Sequence, residues 1–414
     1  MPLFSHRFYI FTLLIWAATG TPFAEARLAP ELLQRVDALL EAQVAAGKIA
    51  GAAVQITYRG KIVKSFATGM ADREAGIALL TDTIFRIASQ TKAIVSSAVM
   101  MLQERGALVI AEPVGKYLPE YMHTTVAVTQ PDGGYEVVPA DRAITIHDLL
   151  THTAGISYGN GPAAALWQEA GIQGWYFAHR QEPVRETVRR IAALPFDAQP
   201  GEQFVYGYNT DILGALVEVT SGQPLDEFLA EHIFGPLGMQ DTHFYLPATK
   251  YHRLAVVYGL NEEGKLVRSP EASSMAGQGA YTDGPRTSFS GGAGLLSTVG
   301  DYSKFLEALR NGGKLGRSRI LGRKSVELMT VNHLGDIPFN SGMGFGLGFS
   351  IVEDLGAQGV IGSVGTFAWG GAYHTVYWVD PREELVVSYM TQLLPATGSD
   401  DGSKLRAAIY AAVQ

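Results

Sequence analysis

Two serines in this chain sit where a nucleophile could be made. Ser89 lies in FRIASQTKAIV, with Lys92 three residues later, the one S-x-x-K in the sequence. Residues i and i+3 share a helix face, so the amine can reach the hydroxyl. Burial disfavours the charged form of a lysine, which can then accept the serine's proton. A serine in the first turn of a helix also has free backbone N–H groups and the helix dipole beside it, both favourable to an oxyanion. Ser157 lies in GISYG, residues 155–159, which fits G-x-S-x-G, the pattern of a nucleophile on a sharp strand-to-helix turn. The plainer readings are a helix cap beside a solvated lysine for Ser89 and a glycine-permitted turn for Ser157.

Context separates the two. TIHDLLTHTA, with Ile146, Leu149 and Leu150 at helical spacing, precedes GISYG, and GNGPAAALW follows it. Helix into loop is the wrong setting for a nucleophile elbow. Ser89 stands where the strand-like TIFRIA gives way to a helix. Two further stretches could complete its chemistry. FVYGYNTDILG at 204–214 opens a helix and offers Tyr206 and Tyr208, either of which could pass the serine's proton to a leaving group. WGGA at 369–372 precedes a hairpin, where paired glycines let the backbone approach a substrate with a free N–H.

The elements that must position these residues are legible in outline. Residues 29–47 place Leu32, Leu33, Val36, Leu39, Leu40 and Val44 at helical spacing, with Gly47 as a stop. IAGAAVQITYRGKIVKSFATG reads as a hairpin about Arg59-Gly60-Lys61, and AYHTVYWVD with ELVVSYMTQ as another about Asp380–Glu383. KAIVSSAVMMLQERG is apolar around most of its circumference, so it predicts a buried helix, and SKLRAAIYAAVQ predicts a closing one. Both ends of the chain (27–110 and 286–414) are thus expected to build one sheet domain, with 111–285 a mainly helical insertion. The aromatics Tyr158, Trp167, Trp175, Tyr176 and Phe177 could line a pocket there or simply pack.

Composition bounds the function. The 414 residues carry net charge −8 without a long basic run, which argues against nucleic acid as a partner. There is no cysteine, hence no disulfide, thiolate nucleophile or Cys-ligated metal. His147 and His152 are five apart and no H-E-x-x-H exists, so neither metal nor cofactor is expected. SGGAG and GMGFGLG lack the lysine and context of phosphate loops and read as backbone needed close to the site or at bends. Arg7, the apolar run 8–18 and Ala24-Glu25-Ala26 predict an export signal over 1–26, giving an exported mature protein without a membrane span.

In this order, FRIASQTKA, QPGEQFVYGYNTDILGALVEVTSG and WGGAYHTVYWVDPREELVVSYMTQ resemble the serine β-lactamase and penicillin-binding-protein superfamily, most nearly the class C β-lactamases and the family VIII carboxylesterases. AITIHDLLTHTAGISY and SGGAGLLSTVGDYSKFL add to the likeness, which runs from about residue 30 to the end. The resemblance implies an α/β (α+β) sandwich, an antiparallel sheet flanked by helices with a largely helical inserted domain. It makes Ser89 the acylated nucleophile, Lys92 its base and Tyr206 the catalytic tyrosine, with Tyr208 as pocket wall; the converse assignment of the two tyrosines stays open. Backbone N–H of Ser89 and Ala372 would hold the oxyanion, with Gly371 beside it. Trp369 stands where β-lactamases carry a carboxylate-binding lysine, which favours a neutral small-molecule ester over an anionic β-lactam. The expected function is a serine carboxylesterase acting on small acyl esters. Alternatives are β-lactamase or D-amino-acid peptidase activity, acyl transfer to an alcohol or amine, and a noncatalytic binding protein on the same fold.

Overall fold

The computed structural model describes residues 28–271, 277–396 and 398–414; the export signal expected at 1–26 lies outside them. Eight strands form one antiparallel sheet: β1 (Gly51–Tyr58), β2 (Lys61–Asp72), β3 (Ile77–Ala78), β4 (Met343–Phe345), β5 (Ser350–Val352), β6 (Phe367–Gly371), β7 (Thr375–Asp380) and β8 (Leu385–Met390). Their spatial order is β4-β5-β6-β7-β8-β1-β2-β3. β1 pairs with β8 from Ala53↔Met390 to Tyr58↔Leu385, so strands from the two ends of the chain lie side by side at the centre of the sheet. Both hairpins expected from the sequence form, β1–β2 and β7–β8.

Strand side chains alternate between faces, and here each face is covered. Ala52, Val54, Ile56 and Tyr58 join Leu385, Val387 and Tyr389 against α1 (Gln34–Ala45) and the C-terminal helix, through Val36, Leu40, Leu405 and Ile409. Ala53, Val386 and Met390 face the other way into the larger core, which includes α2 (Thr91–Glu104), α3 (Asn209–Ser221) and α4 (Val299–Arg310). The last helix, α5 (Asp401–Tyr410), closes the first face. The antiparallel sheet flanked by helices is thus the fold that forms. Every residue of α2 from Thr91 to Leu102 is buried, as its all-round apolar sequence predicts.

The stretch 111–285 carries the expected helices, Ile146–Leu150, Val184–Ile191, α3 and Leu225–Leu229 among them. It also holds two hairpins that the sequence reading did not anticipate, Thr125–Thr129 with Tyr135–Pro139 and Tyr258–Leu260 with Leu266–Arg268. Among the described residues, no helix is long and apolar enough to cross a membrane.

Candidate active site

Ser89 is the middle residue of a 3₁₀ turn, Ala88–Gln90, that leads directly into α2. The turn is tight: Ala88 has φ +40°, a region few non-glycine residues enter. Lys92 follows one turn later, 1% exposed. Its Nζ donates to Ser89 Oγ at 3.3 Å, to Tyr158 Oη at 3.1 Å and to the Gly292 carbonyl at 2.8 Å. Three acceptors fix an otherwise flexible amine against the hydroxyl. Gly292 belongs to the SGGAG run, and its loop is tied down from α3: Asp211 accepts from Ser290 Oγ at 2.6 Å and from Gly292 N at 3.0 Å. Burial raises the Asp211 carboxyl above its ordinary range, opposed by these bonds and by the Lys92 charge.

Two tyrosines flank the lysine in different ways. Tyr158 offers its hydroxyl, and burial holds that phenol far above its usual titration, so it remains an O–H. Tyr206 offers its ring, with Nζ 4.5 Å from the ring centroid. The Tyr206 hydroxyl instead accepts from Trp369 Nε1 at 3.0 Å. The sequence reading couples Lys92 to Tyr206; the hydroxyl bonded to Lys92 is that of Tyr158.

Behind Tyr206, His152 packs its ring at 4.6 Å, centroid to centroid, and its Nδ1 meets Asn209 Nδ2 at 2.9 Å. Burial and the nearby Lys92 charge keep His152 neutral, well below its ordinary pKa. Asn209 also donates to the carbonyls of Ile156 and Val205, so this amide staples the loop at 205–209 to the loop at 152–156 and does not face the cleft. Tyr208 is fully buried and donates to the Gly174 carbonyl at 2.5 Å; it supports Tyr158 edge-on from the core and is not part of the cleft wall.

Above Ser89 passes the end of β6. A Cβ on Gly371 would stand 2.2 Å from the Ile87 carbonyl, so only glycine lets this strand lie against the turn that carries Ser89. The next residue, Ala372, follows the last paired position of β6 and borders the cleft with Ser89, Tyr158, Tyr206 and Trp369. That cleft encloses about 530 Å³, a volume suited to a small-molecule ligand. Trp175 also lines it, whereas Trp167, Tyr176 and Phe177 are buried in the core. Ser157 is buried, and its Oγ accepts from Gly159 N at 3.1 Å. Gly155 and Gly159 both adopt positive φ, which makes GISYG a turn whose contribution to the cleft is Tyr158.

The family is decided by the extent of its match: a family model described as Beta-lactamase fits residues 36–412. The chain belongs to the β-lactamase family. Relatives within reach of it include esterase EstB of Burkholderia gladioli, 33% identical over 91% of this chain and 94% of its own. Lovastatin esterase of Penicillium rubens is 29% identical over 88% of this chain and 94% of its own. Among solved structures, EstCE1, described as a hydrolase with promiscuous acyltransferase activity, superposes with a TM-score of 0.78 at 27% identity, covering 92% of this chain and 98% of that one. On the β-lactamase-family fold of this chain, S-x-x-K, the tyrosine pair and W-G-G-A converge on one cleft. Sequence reading did not single out Tyr158 as the partner of Lys92, nor Gly292 and Asp211 as its supports.

Proposed function

We propose that this protein is a serine carboxylesterase that works through an acyl-enzyme on Ser89. The observation that carries the reading is the buried Lys92 amine, held 3.3 Å from Ser89 Oγ at the base of an apolar cleft. In the first half-reaction Ser89 Oγ attacks the ester carbonyl carbon as the Lys92 amine, in its deprotonated form, takes its proton. The N–H groups of Ser89 and Ala372 stabilise the oxyanion. The C–O bond to the alcohol then breaks and the alkoxide takes a proton returned from Lys92 by way of a tyrosine hydroxyl at the cleft, where Tyr158 is bonded to the amine and Tyr206 lines the same wall. Water attacks the acyl-enzyme in the second half, losing its proton by the same route, and the acid leaves with Ser89 restored. No cofactor takes part. A bound alcohol in place of that water would give acyl transfer, a second reading supported by the likeness to EstCE1. The residues at 1–26 support export of the mature enzyme to the periplasm or medium.

Intact mass after brief exposure to a fluorophosphonate tests the nucleophile in the wild type, Ser89→Ala and Ser157→Ala. Labelling is expected to vanish only in Ser89→Ala, together with at least a thousandfold loss (~10³) of p-nitrophenyl butyrate hydrolysis. Labelling that survives in Ser89→Ala but is lost in Ser157→Ala overturns the assignment. Turnover of a chromogenic cephalosporin more efficient than that of the ester would move the protein to the β-lactamase branch.

A further inference from the structure

His374 stands out on three independent grounds. It occupies the last position of the three-residue turn between β6 and β7, with φ +63° and its N–H donating to the Gly371 carbonyl at 3.0 Å. That position of a three-residue hairpin calls for a left-handed residue, normally glycine, and a histidine, though it enters that region more readily than most side chains, is uncommon there. An uncommon residue at such a position, kept at the wall of a cleft, is a pointer to use. The second ground is its partner. Nε2 lies 2.7 and 2.9 Å from the two oxygens of Asp401, the first residue of α5. Asp401 is 1% exposed and also accepts from the Tyr389 hydroxyl. Among the described residues His374 is the only basic side chain that meets that buried carboxylate, so its Nε2–H is held by Asp401 and the ring is fixed in orientation. The third ground is position. His374 lines the cleft, and Nδ1 makes no bond among the described residues, yet is not sealed from solvent as the Tyr373 hydroxyl and Thr375 Oγ1 are.

Among the described residues, no other one lining the cleft can carry positive charge, and the Trp369 N–H is committed to Tyr206. We propose that His374, oriented by Asp401, is a binding subsite for a carboxylate on the substrate, making half-esters of short dicarboxylic acids the preferred class in place of the neutral esters expected from Trp369. The inference rests on the esterase reading above. His374 follows Ala372 by two residues, at most about 7 Å of chain, and both line the cleft, which suits a substrate whose carboxylate lies a few atoms from its ester carbonyl. With a proton on each ring nitrogen, Nε2–H holds Asp401 and Nδ1–H donates to the substrate carboxylate, a charge-assisted bond.

Monomethyl glutarate replaces one methyl ester of dimethyl glutarate with a free carboxylate, and pH-stat titration at neutral pH reads the hydrolysis of each, counted per ester group. The wild type is expected to favour the monoester by about tenfold to a hundredfold in kcat/KM, the range of a hydrogen bond to a charged group. His374→Gly suits the backbone at this position, so it removes the side chain without new strain, and the preference is expected to collapse to about parity. A wild type that prefers the diester overturns the proposal. So does a His374→Gly that slows both esters equally, since that would mean the histidine only shapes the turn. A binding arm separates failure of the subsite from failure of the esterase reading. Calorimetry with Ser89→Ala should detect monomethyl glutarate, and the Ser89→Ala, His374→Gly double variant should bind it at least about tenfold more weakly. Equal binding by the two sinks the subsite whether or not the protein turns over esters; unequal binding without any turnover keeps the subsite and removes the esterase.

Discussion

At the scale of single residues, the two tyrosines beside Lys92 invite different experiments because they touch it differently. Tyr158 holds the amine through its hydroxyl, whereas Tyr206 presents a ring to the amine and a hydroxyl to Trp369. Removing the Tyr158 hydroxyl should impair proton removal from Ser89, so Tyr158→Phe should slow both ester turnover and fluorophosphonate labelling by roughly 10²-fold or more. Fluoride leaves without help from an acid, so Tyr206→Phe should slow ester turnover far more than labelling. Stopped-flow labelling rates set against kcat separate the two, and wild-type labelling in Tyr158→Phe would detach that tyrosine from the proton path. The same residues mark how far the site could be read from sequence. Ser89 and Lys92 were legible because their relation is local, one helical turn. The partnership of Tyr158 with Lys92 spans 66 residues, and sequence alone could only place Tyr158 among aromatics that line or pack. His374 fitted no motif at all; its signal was an αL turn position, which cannot be recognised before the turn is known.

At the scale of elements, the cleft depends on how closely β6 lies against the turn that begins α2. Gly371 allows that approach, and an added Cβ would collide with the backbone carbonyl of Ile87, which cannot swing aside as a side chain could. Gly371→Ala should therefore displace Ala372 from the carbonyl it is proposed to hold. A loss of about 10²–10³ in kcat is expected, the range for one oxyanion donor, with the fold retained by circular dichroism. An unchanged kcat would mean that β6 does not form the oxyanion site. The loop at 290–294 gives a gentler case: Asp211→Asn keeps an acceptor for Ser290 and Gly292, so its kcat should fall less than that of Asp211→Ala, which frees the carbonyl that steadies Lys92. Elements with strong patterns were the ones sequence could supply, from the all-apolar α2 to the hairpins flanking Arg59-Gly60-Lys61 and Asp380–Glu383. The hairpins at 125–139 and 258–268 escaped because each is a short two-stranded ribbon. Val128, Tyr135, Val137, Leu260 and Val267 are exposed there, so no alternation of buried and solvated residues announces a strand.

At the scale of the whole molecule, the two chain ends meet in the sheet and the closing helix reaches the cleft. β1 pairs with β8, α1 and α5 cover that face, and α5 begins with the carboxylate that holds His374. The end of the chain thus ties global stability to the shape of the site, and acid should expose the link. Burial alone would raise the Asp401 carboxyl, but the hydrogen bond and charge of His374, with the bond from Tyr389, outweigh it and hold the group at about 2. In the unfolded chain an aspartate titrates near 3.9, so the depressed pKa contributes on the order of 2 kcal/mol to folding. That contribution is fully present above about pH 5 and is lost as pH falls from there through about 2, because the unfolded chain takes up the proton first. Urea unfolding of the wild type and Asp401→Asn at pH 7, 5 and 3 should show the variant weaker by a similar margin at the two higher values and by less at pH 3. A margin independent of pH would mean that packing around α5, and not the charge of Asp401, carries the difference.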